Sequence, residues 1–158
     1  MNLFQLLKES RKIFRLSWNE KTLLLEALIL TGIIRFAILF IPFNKLATHI
    51  GKHKEESSKE VNDFEKIIVN RIGWAVSVVS TRTPWESKCL VKALTAQIML
   101  TKRKVSSTVY LGVRKDEGYK LIAHAWLRSG IDIITGGEVS SSFTQVAKFA
   151  NNVRRKKL

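Results

Sequence analysis

The sequence is poor in cysteine, proline and acidic residues, and these shortages restrict what the protein can be. Its single cysteine excludes an internal disulfide. The lack of a cleavable signal also favours a reducing compartment, so we expect a cytoplasmic protein. No cysteine or carboxylate lies at ligand spacing around His49 or His53, and we therefore expect no metal site.

The charge balance is strongly one-sided. The 27 lysines and arginines outnumber the 13 acidic residues and leave a formal net charge of +14. Nucleic acid, anionic lipid and acidic peptides would all be suitable partners for such a chain. The usual nucleic-acid modules are missing, since the sequence has no zinc-finger spacing, no RNP-type strand and no basic zipper. We therefore expect no nucleic-acid partner.

The chain has the length of one domain. With 158 residues and 46% apolar side chains it can build a hydrophobic core. We divide it into a helical N-terminal region, residues 1–60, which serves docking or packing, and a core region, residues 61–158. The two regions are expected to form one compact unit.

Two helices are predicted in the N-terminal region. Residues 1–20 space apolar side chains at intervals of three and four, which is typical of an amphipathic helix that packs on the domain, a partner or a membrane surface. Residues 22–43 are the most apolar run, but Glu26 and Arg35 would each cost about 2.5 to 3.5 kcal/mol in a lone membrane span. We interpret this run as a helix buried on most sides that ends before Pro42, with a membrane-associated helix as the alternative.

The middle of the chain contains a polar segment and then two further helices. Residues 45–63 are predicted to be an exposed loop. Apolar spacing from Phe64 onwards predicts a helix that ends near Ser80. Residues 83–86, Thr-Pro-Trp-Glu, combine an N-cap hydroxyl with a proline at the first helical position and a glutamate at the third. The next helix should therefore begin there, which places Cys89 in its second turn.

The C-terminal part of the chain is predicted to form mainly strands. β-branched and aromatic residues predict strands at residues 107–114, 119–128 and 131–135, with turns between them. Residues 143–150 space apolar side chains as a helix does, and a closing helix is predicted there. Helices followed by an antiparallel meander define an α+β fold.

Cys89 and His124 are the candidates for chemistry. A thiolate is stabilised by the positive potential of a helix N-terminus and by an imidazole that takes its proton. Cys89 near a helix start and His124 on a strand would supply both, as in a cysteine hydrolase. The alternative is structural, because a lone cysteine is commonly a small buried apolar residue and a lone histidine a core group.

A third residue should orient the imidazole, and hairpin geometry favours Asp132. A three-residue turn after the second strand would pair His124 with Ile134 and place Asp132 diagonally on the same face. A two-residue turn would send Asp132 to the other face. Thr135 and Glu138 are the fallback choices.

Four ordered blocks of sequence are similar to one family. The blocks are PW at 84–85 leading to CLVKAL at 89–94, LGVR at 111–114, AHAWLR at 123–128 and ITGG at 134–137. Together they resemble the transglutaminase-like leader peptidases of lasso peptide biosynthesis. The match is strong over the C-terminal half of the chain and loose over the N-terminal helices.

The resemblance implies a transglutaminase-like, papain-related core in which a cysteine-bearing helix packs on an antiparallel sheet and a Cys-His-Asp triad is catalytic. Cys89 matches the nucleophile and His124 the base, and Asp132 is the only aspartate after His124. The implied activity is removal of the leader from a ribosomally made lasso precursor, so that an ATP-dependent cyclase can close the macrolactam. No metal or organic cofactor is needed.

The resemblance also implies partners. The chain has no room for a leader-recognition domain, which implies the split form with a separate recognition protein. Basic residues of the first helix, including Arg11 and Arg15, are candidates for contact with an acidic leader or partner, and Trp85 and Trp126 for contact with substrate. Two other functions stay open: a non-catalytic membrane-associated or partner-binding scaffold, and a transglutaminase or acyltransferase that uses an amine instead of water.

Overall fold

The computed structural model describes residues 16–153. Its helices are α1 (Trp18–Phe40), α2 (Phe43–Ile50), α3 (Asp63–Ser80) and α4 (Cys89–Lys102). Its strands are β1 (Lys52–His53), β2 (Ser107–Lys115), β3 (Leu121–Ser129), β4 (Asp132–Thr135) and β5 (Thr144–Asn151), with a short 3-10 helix at Gly137–Ser142. The predicted helix of residues 1–20 lies mostly outside the described residues, as do Arg11 and Arg15.

The strands form a single antiparallel sheet in the order β1-β5-β2-β3-β4. α4 packs across β2, β3 and β4, and α3 packs against α4 and β4. α1 packs on α3 and α4, and so forms an outer layer. The core lies between the helices and one face of the sheet, where Ala125 and Leu127 of β3 meet Val76 of α3 and Leu94 of α4. The α+β prediction is confirmed.

The ends of α1 follow from its flanking residues. The Ser17 N–H donates to the Glu20 carboxylate at 2.8 Å, and the Ser17 hydroxyl accepts from the Glu20 amide at 3.3 Å, which is a capping box. The helix ends at Phe40 because the next residue, Ile41, is extended before Pro42. This end agrees with the sequence prediction.

The burial of α1 differs from the prediction. Leu23, Ala27, Thr31 and Ile34 are buried, whereas only 22% of its most apolar stretch is buried inside the protein. α1 is therefore covered on one side and not on most sides. Within residues 16–153 it is the one helix long and apolar enough to cross a membrane by length and composition.

Two other sequence predictions are wrong. The predicted loop of residues 45–63 contains β1 and most of α2, whose Leu46, Ala47 and Ile50 pack on the core. The predicted closing helix is the strand β5, which pairs with β2 on one side and β1 on the other. Without β5 the edge of β2 would expose unpaired backbone groups, and this pairing outweighs the local helical spacing.

Candidate active site

Cys89 is the first residue of α4, one turn earlier in the helix than the sequence predicts. The predicted capping box does not form. The Thr83 hydroxyl donates to the carbonyl oxygen of Trp85 at 3.0 Å and lies 2.9 Å from the Ser87 hydroxyl, so it stabilises a loop. The N-cap residue is Lys88, in extended conformation.

The loop before Cys89 is tied to α1 through Glu86. The Glu86 carboxylate accepts from Lys88 at 2.8 Å and from Arg35 of α1 at 3.1 Å. The hydrogen bond from Lys88, together with the charges of Lys88 and Arg35, holds the pKa of Glu86 below its ordinary value. Glu86 is therefore ionised at neutral pH and keeps both partners.

The start of α4 offers backbone donors beside the thiol. No side chain caps the helix, and the Lys88 carbonyl accepts the amide of Lys92 at 3.1 Å. The amides of Cys89, Leu90 and Val91 belong to the first turn, which has no preceding helical carbonyls for them. These amides and the helix dipole create a positive potential where a thiolate or an oxyanion would form.

His124 lies on β3, beyond the part of that strand that pairs with β4. The last pair of β3 with β4 joins Leu127 to Thr135, so His124 faces the turn after β4. Its Nε2 lies 2.8 Å from the carbonyl oxygen of Gly136. Because a carbonyl only accepts, Nε2 carries the hydrogen, and Nδ1 is the nitrogen that can take a proton from a thiol.

Gly136 is required at this position. It has a left-handed backbone with φ of 72°. A Cβ there would lie 2.6 Å from the carbonyl oxygen of Ala125 and 2.9 Å from His124 Nε2. No other residue type fits without displacing the imidazole.

Two aromatic rings pack against the imidazole. The Trp126 ring is stacked on His124 with centroids 6.0 Å apart, and the Phe143 ring lies 4.9 Å away at 33°. Trp126 itself stacks on Tyr110 at 5.6 Å and is 8% exposed. In this structure Trp126, predicted to contact substrate, supports His124 from within the protein.

Cys89 and His124 line the same cavity, which has a volume of about 150 Å³. Its walls come from α3, the start of α4 and the end of β4. The remaining lining residues are Gly73, Val76, Ser77, Lys92, Ile134, Thr135, Gly136 and Glu138. One small cavity is therefore lined by the candidate nucleophile, the candidate base and two charged residues, Lys92 and Glu138.

The two fallback residues for the third catalytic position both line this cavity. The hydroxyl of Thr135 is buried and has no hydrogen-bond partner within the described part of the chain. Glu138 is exposed. Within residues 16–153, the His124 ring is hydrogen-bonded to a backbone carbonyl and to neither of these side chains.

Asp132 does not lie near His124. It pairs with Ser129 across the two-residue turn of Gly130 and Ile131. Ser129 is five residues along β3 from His124, which corresponds to about 17 Å. Asp132 instead lines a separate cavity of about 400 Å³ at that end of the hairpin. The predicted pairing of His124 with Ile134 is wrong.

The predicted register fails because Arg128 and Ser129 belong to β3 and not to the turn. The guanidinium of Arg128 donates to the Tyr110 hydroxyl at 2.8 Å and to the Ser57 carbonyl at 3.0 Å. The hydroxyl of Ser129 donates to the Ser106 carbonyl at 2.8 Å. These long-range bonds hold both residues in the strand and move the turn toward the C-terminus.

Trp85, the other predicted substrate contact, packs against α1. A Cβ at Gly32 would lie 3.2 Å from Trp85 Cζ2. The indole Nε1 is buried without a hydrogen-bond partner in the described residues. Trp85 therefore helps to hold the loop before Cys89 against the outer helix.

Gly136 and Phe143 are the residues of the site that sequence reasoning missed. The two consecutive glycines after β4 indicate a break in the strand, but a backbone carbonyl has no side-chain signature. The apolar spacing of residues 143–150 predicts a helix at Phe143, whereas Phe143 precedes β5 and packs on His124.

A thiol at an uncapped helix start and an imidazole of fixed tautomer on one cavity form the arrangement that enzymes with a nucleophilic cysteine use. The chain belongs to the transglutaminase-like superfamily, whose domain matches residues 32–148. This superfamily comprises cysteine peptidases and transglutaminases. No curated protein and no solved structure matches the chain.

Proposed function

We propose that this protein is a cysteine peptidase that removes the leader from a ribosomally made lasso precursor peptide, acting with a separate leader-recognition protein. The observation that carries the chemistry is the cavity shared by Cys89 and His124, with the His124 Nε2–H bonded to Gly136. The substrate class is supported by the four sequence blocks that resemble the lasso leader peptidases.

The first half of the reaction cleaves the peptide bond. His124 Nδ1 takes the proton of the Cys89 thiol, and Sγ attacks the carbonyl carbon at the junction of leader and core. The first-turn amides of α4 bind the oxyanion of the tetrahedral intermediate. The proton on Nδ1 then passes to the amine of the core peptide, the C–N bond breaks, and the leader remains as a thioester on Cys89.

The second half releases the leader. Nδ1 takes a proton from a water molecule, whose oxygen attacks the thioester carbonyl. The C–S bond breaks, Cys89 recovers the proton from Nδ1, and the leader leaves with a new carboxylate. An acyltransferase would use an amine at this step and would form an amide instead.

Delivery of the leader is assigned to the basic N-terminal segment. Lys8, Arg11, Lys12 and Arg15 precede the described residues and would meet an acidic leader or recognition protein. Charge reversal at these four positions is expected to weaken cleavage that depends on the recognition protein. Unchanged cleavage would show that this segment does not deliver the leader.

The proposal is tested by incubating the protein with precursor and recognition protein and measuring product masses. Wild type should yield a free leader and a free core peptide. Cys89→Ala and His124→Gln should yield neither, whereas His53→Gln, an exposed histidine, should act as wild type. A crosslinked product would identify an acyltransferase, and function retained in Cys89→Ala would identify a scaffold.

A further inference from the structure

From Leu25 onwards, the outward face of α1 is apolar without interruption. Every exposed residue from position 25 to position 43 is apolar. These residues are Leu25, Leu28, Ile29, Ile33, Phe36, Leu39, Phe40, Ile41, Pro42 and Phe43. Phe36 and Phe40 are 64% and 68% exposed. A continuous apolar surface of this kind marks an interaction site.

The two charged residues within α1's apolar run are bonded to the protein. Glu26 accepts from Arg103 at 2.7 Å and from Lys102 at 3.1 Å, both at the end of α4. Arg35 donates to Glu86 at 3.1 Å. The charges that argue against a lone membrane span are thus paired with the domain, and the outward face presents neither a charge nor a hydrogen-bonding side chain.

The chemistry of this face suits lipid better than protein. Protein interfaces carry about one hydrogen bond per 100–200 Å², and this face has no side chain to make one. Trp18 is 80% exposed at the start of α1, with the Lys21 ammonium 5.4 Å from its ring, and Lys45 follows the face at its other end. Aromatic and basic residues at the ends of an apolar helix are typical of contact with the headgroup region.

We propose that α1 lies along an anionic membrane surface, with the face from Leu25 to Phe43 inserted at the boundary of headgroups and acyl chains. The formal charge of +14 gives the chain affinity for anionic lipid. Ala27 and Ile34 belong to the core, so the helix stays against the domain and does not span the bilayer. This proposal is independent of the peptidase proposal.

Vesicle flotation tests the proposal with full-length protein. Vesicles of phosphatidylglycerol and phosphatidylcholine should carry wild type, and vesicles of phosphatidylcholine alone should carry much less. The double variant Phe36→Ser/Phe40→Ser should bind the anionic vesicles at least about tenfold more weakly. The matched control Ile131→Ser/Val146→Ser removes exposed apolar side chains from the turn before β4 and from β5, and it should bind as wild type. Equal binding of wild type and the α1 variant, or no binding of wild type, would overturn the proposal.

Two further measurements distinguish lipid from the two other binding partners that could cover this face, a second copy of the chain and a recognition protein. Circular dichroism checks that both double variants fold as wild type does. Light scattering measures the oligomeric state of wild type and of the α1 variant. A wild-type dimer that the α1 variant loses, without vesicle binding, would assign the face to a second copy. A recognition protein that binds wild type but not the α1 variant, with no vesicle binding by wild type, would assign it to that protein. Either result would overturn the proposal.

Discussion

The Nε2–H of His124 donates a 2.8 Å hydrogen bond to the backbone carbonyl of Gly136. In a Cys-His-Asp triad a carboxylate accepts from the corresponding nitrogen and fixes the tautomer of the ring. The Gly136 carbonyl fixes the same tautomer without bringing a charge. The rings of Trp126 and Phe143 limit the rotation of the imidazole, so orientation does not depend on an acidic side chain.

Gly136→Ala is expected to reduce the rate of cleavage by roughly 100-fold, because its Cβ would displace the imidazole. The loss should appear in kcat more than in KM, since the substrate-binding surface is kept. Gly137→Ala is the matched control. Its Cβ would meet only the Ile133 side chain, at 3.1 Å, and its φ is ordinary. Equal activity of Gly136→Ala and wild type would contradict the assigned hydrogen bond.

Asp132→Asn should leave cleavage unchanged, because Asp132 pairs with Ser129 at the far end of the hairpin. Steady-state kinetics with the precursor measure this directly. A loss comparable to that of His124→Gln would mean that Asp132 reaches the imidazole during turnover, against the observed register.

Glu138→Gln should slow cleavage by no more than about threefold at physiological salt. Glu138 lines the cavity but is exposed, so solvent and ions screen its effect on a protonated imidazole. The effect should shrink further as salt is raised. A large, salt-independent loss would instead identify Glu138 as the residue that orients His124.

Glu26→Gln should destabilise the fold by about 1 to 2 kcal/mol at pH 7, since it removes the charge that bonds to Lys102 and Arg103. Burial acts to raise the pKa of Glu26, but the hydrogen bonds and charges of these two residues hold it below its ordinary value. Ionised Glu26 therefore stabilises the fold at pH values above the ordinary glutamate pKa. This contribution is lost as the pH falls through the lowered pKa that Glu26 has in the folded protein.

Urea unfolding of wild type and Glu26→Gln at pH 7 and at successively lower pH provides the measurement. The difference between their free energies of unfolding should be largest at neutral pH and decrease below about pH 4.3. The exposed Glu117→Gln serves as the control and should match wild type throughout. A difference that grows on acidification would contradict the assigned direction of the pKa.

Much of the fold could be predicted from local sequence patterns, which involve residues close together in the chain. The apolar spacing after Phe64 gives α3, and β-branched residues give β2 and β3. Cys89 and His124 could be singled out as well, since few side chains in the sequence have their chemistry. Their meeting on one cavity depends on α4 lying across β3, which the order of helices and strands suggests.

The errors arise where hydrogen bonds that no sequence pattern indicates, most of them to distant residues, decide the local conformation. Thr83 bonds to its own loop, so α4 begins at Cys89. Arg128 stays in β3 through a bond to Ser57, which is 71 residues away in sequence, and this sets the register that removes Asp132 from the site. Pairing with β2 makes a strand of β5, which resembles a helix locally. The orienting group of His124 is a carbonyl, and sequence patterns describe side chains only.

Alkylation of the single cysteine tests the central claim, that His124 activates Cys89, most directly and without a substrate. Because the chain has one cysteine, the mass of the intact protein after iodoacetamide treatment reports Cys89 alone. Wild type at neutral pH should react at least about tenfold faster than His124→Gln, while both proteins should react at the same rate in denaturant. Equal rates for the folded proteins would show that the imidazole does not act on the thiol and would contradict the assignment of this site.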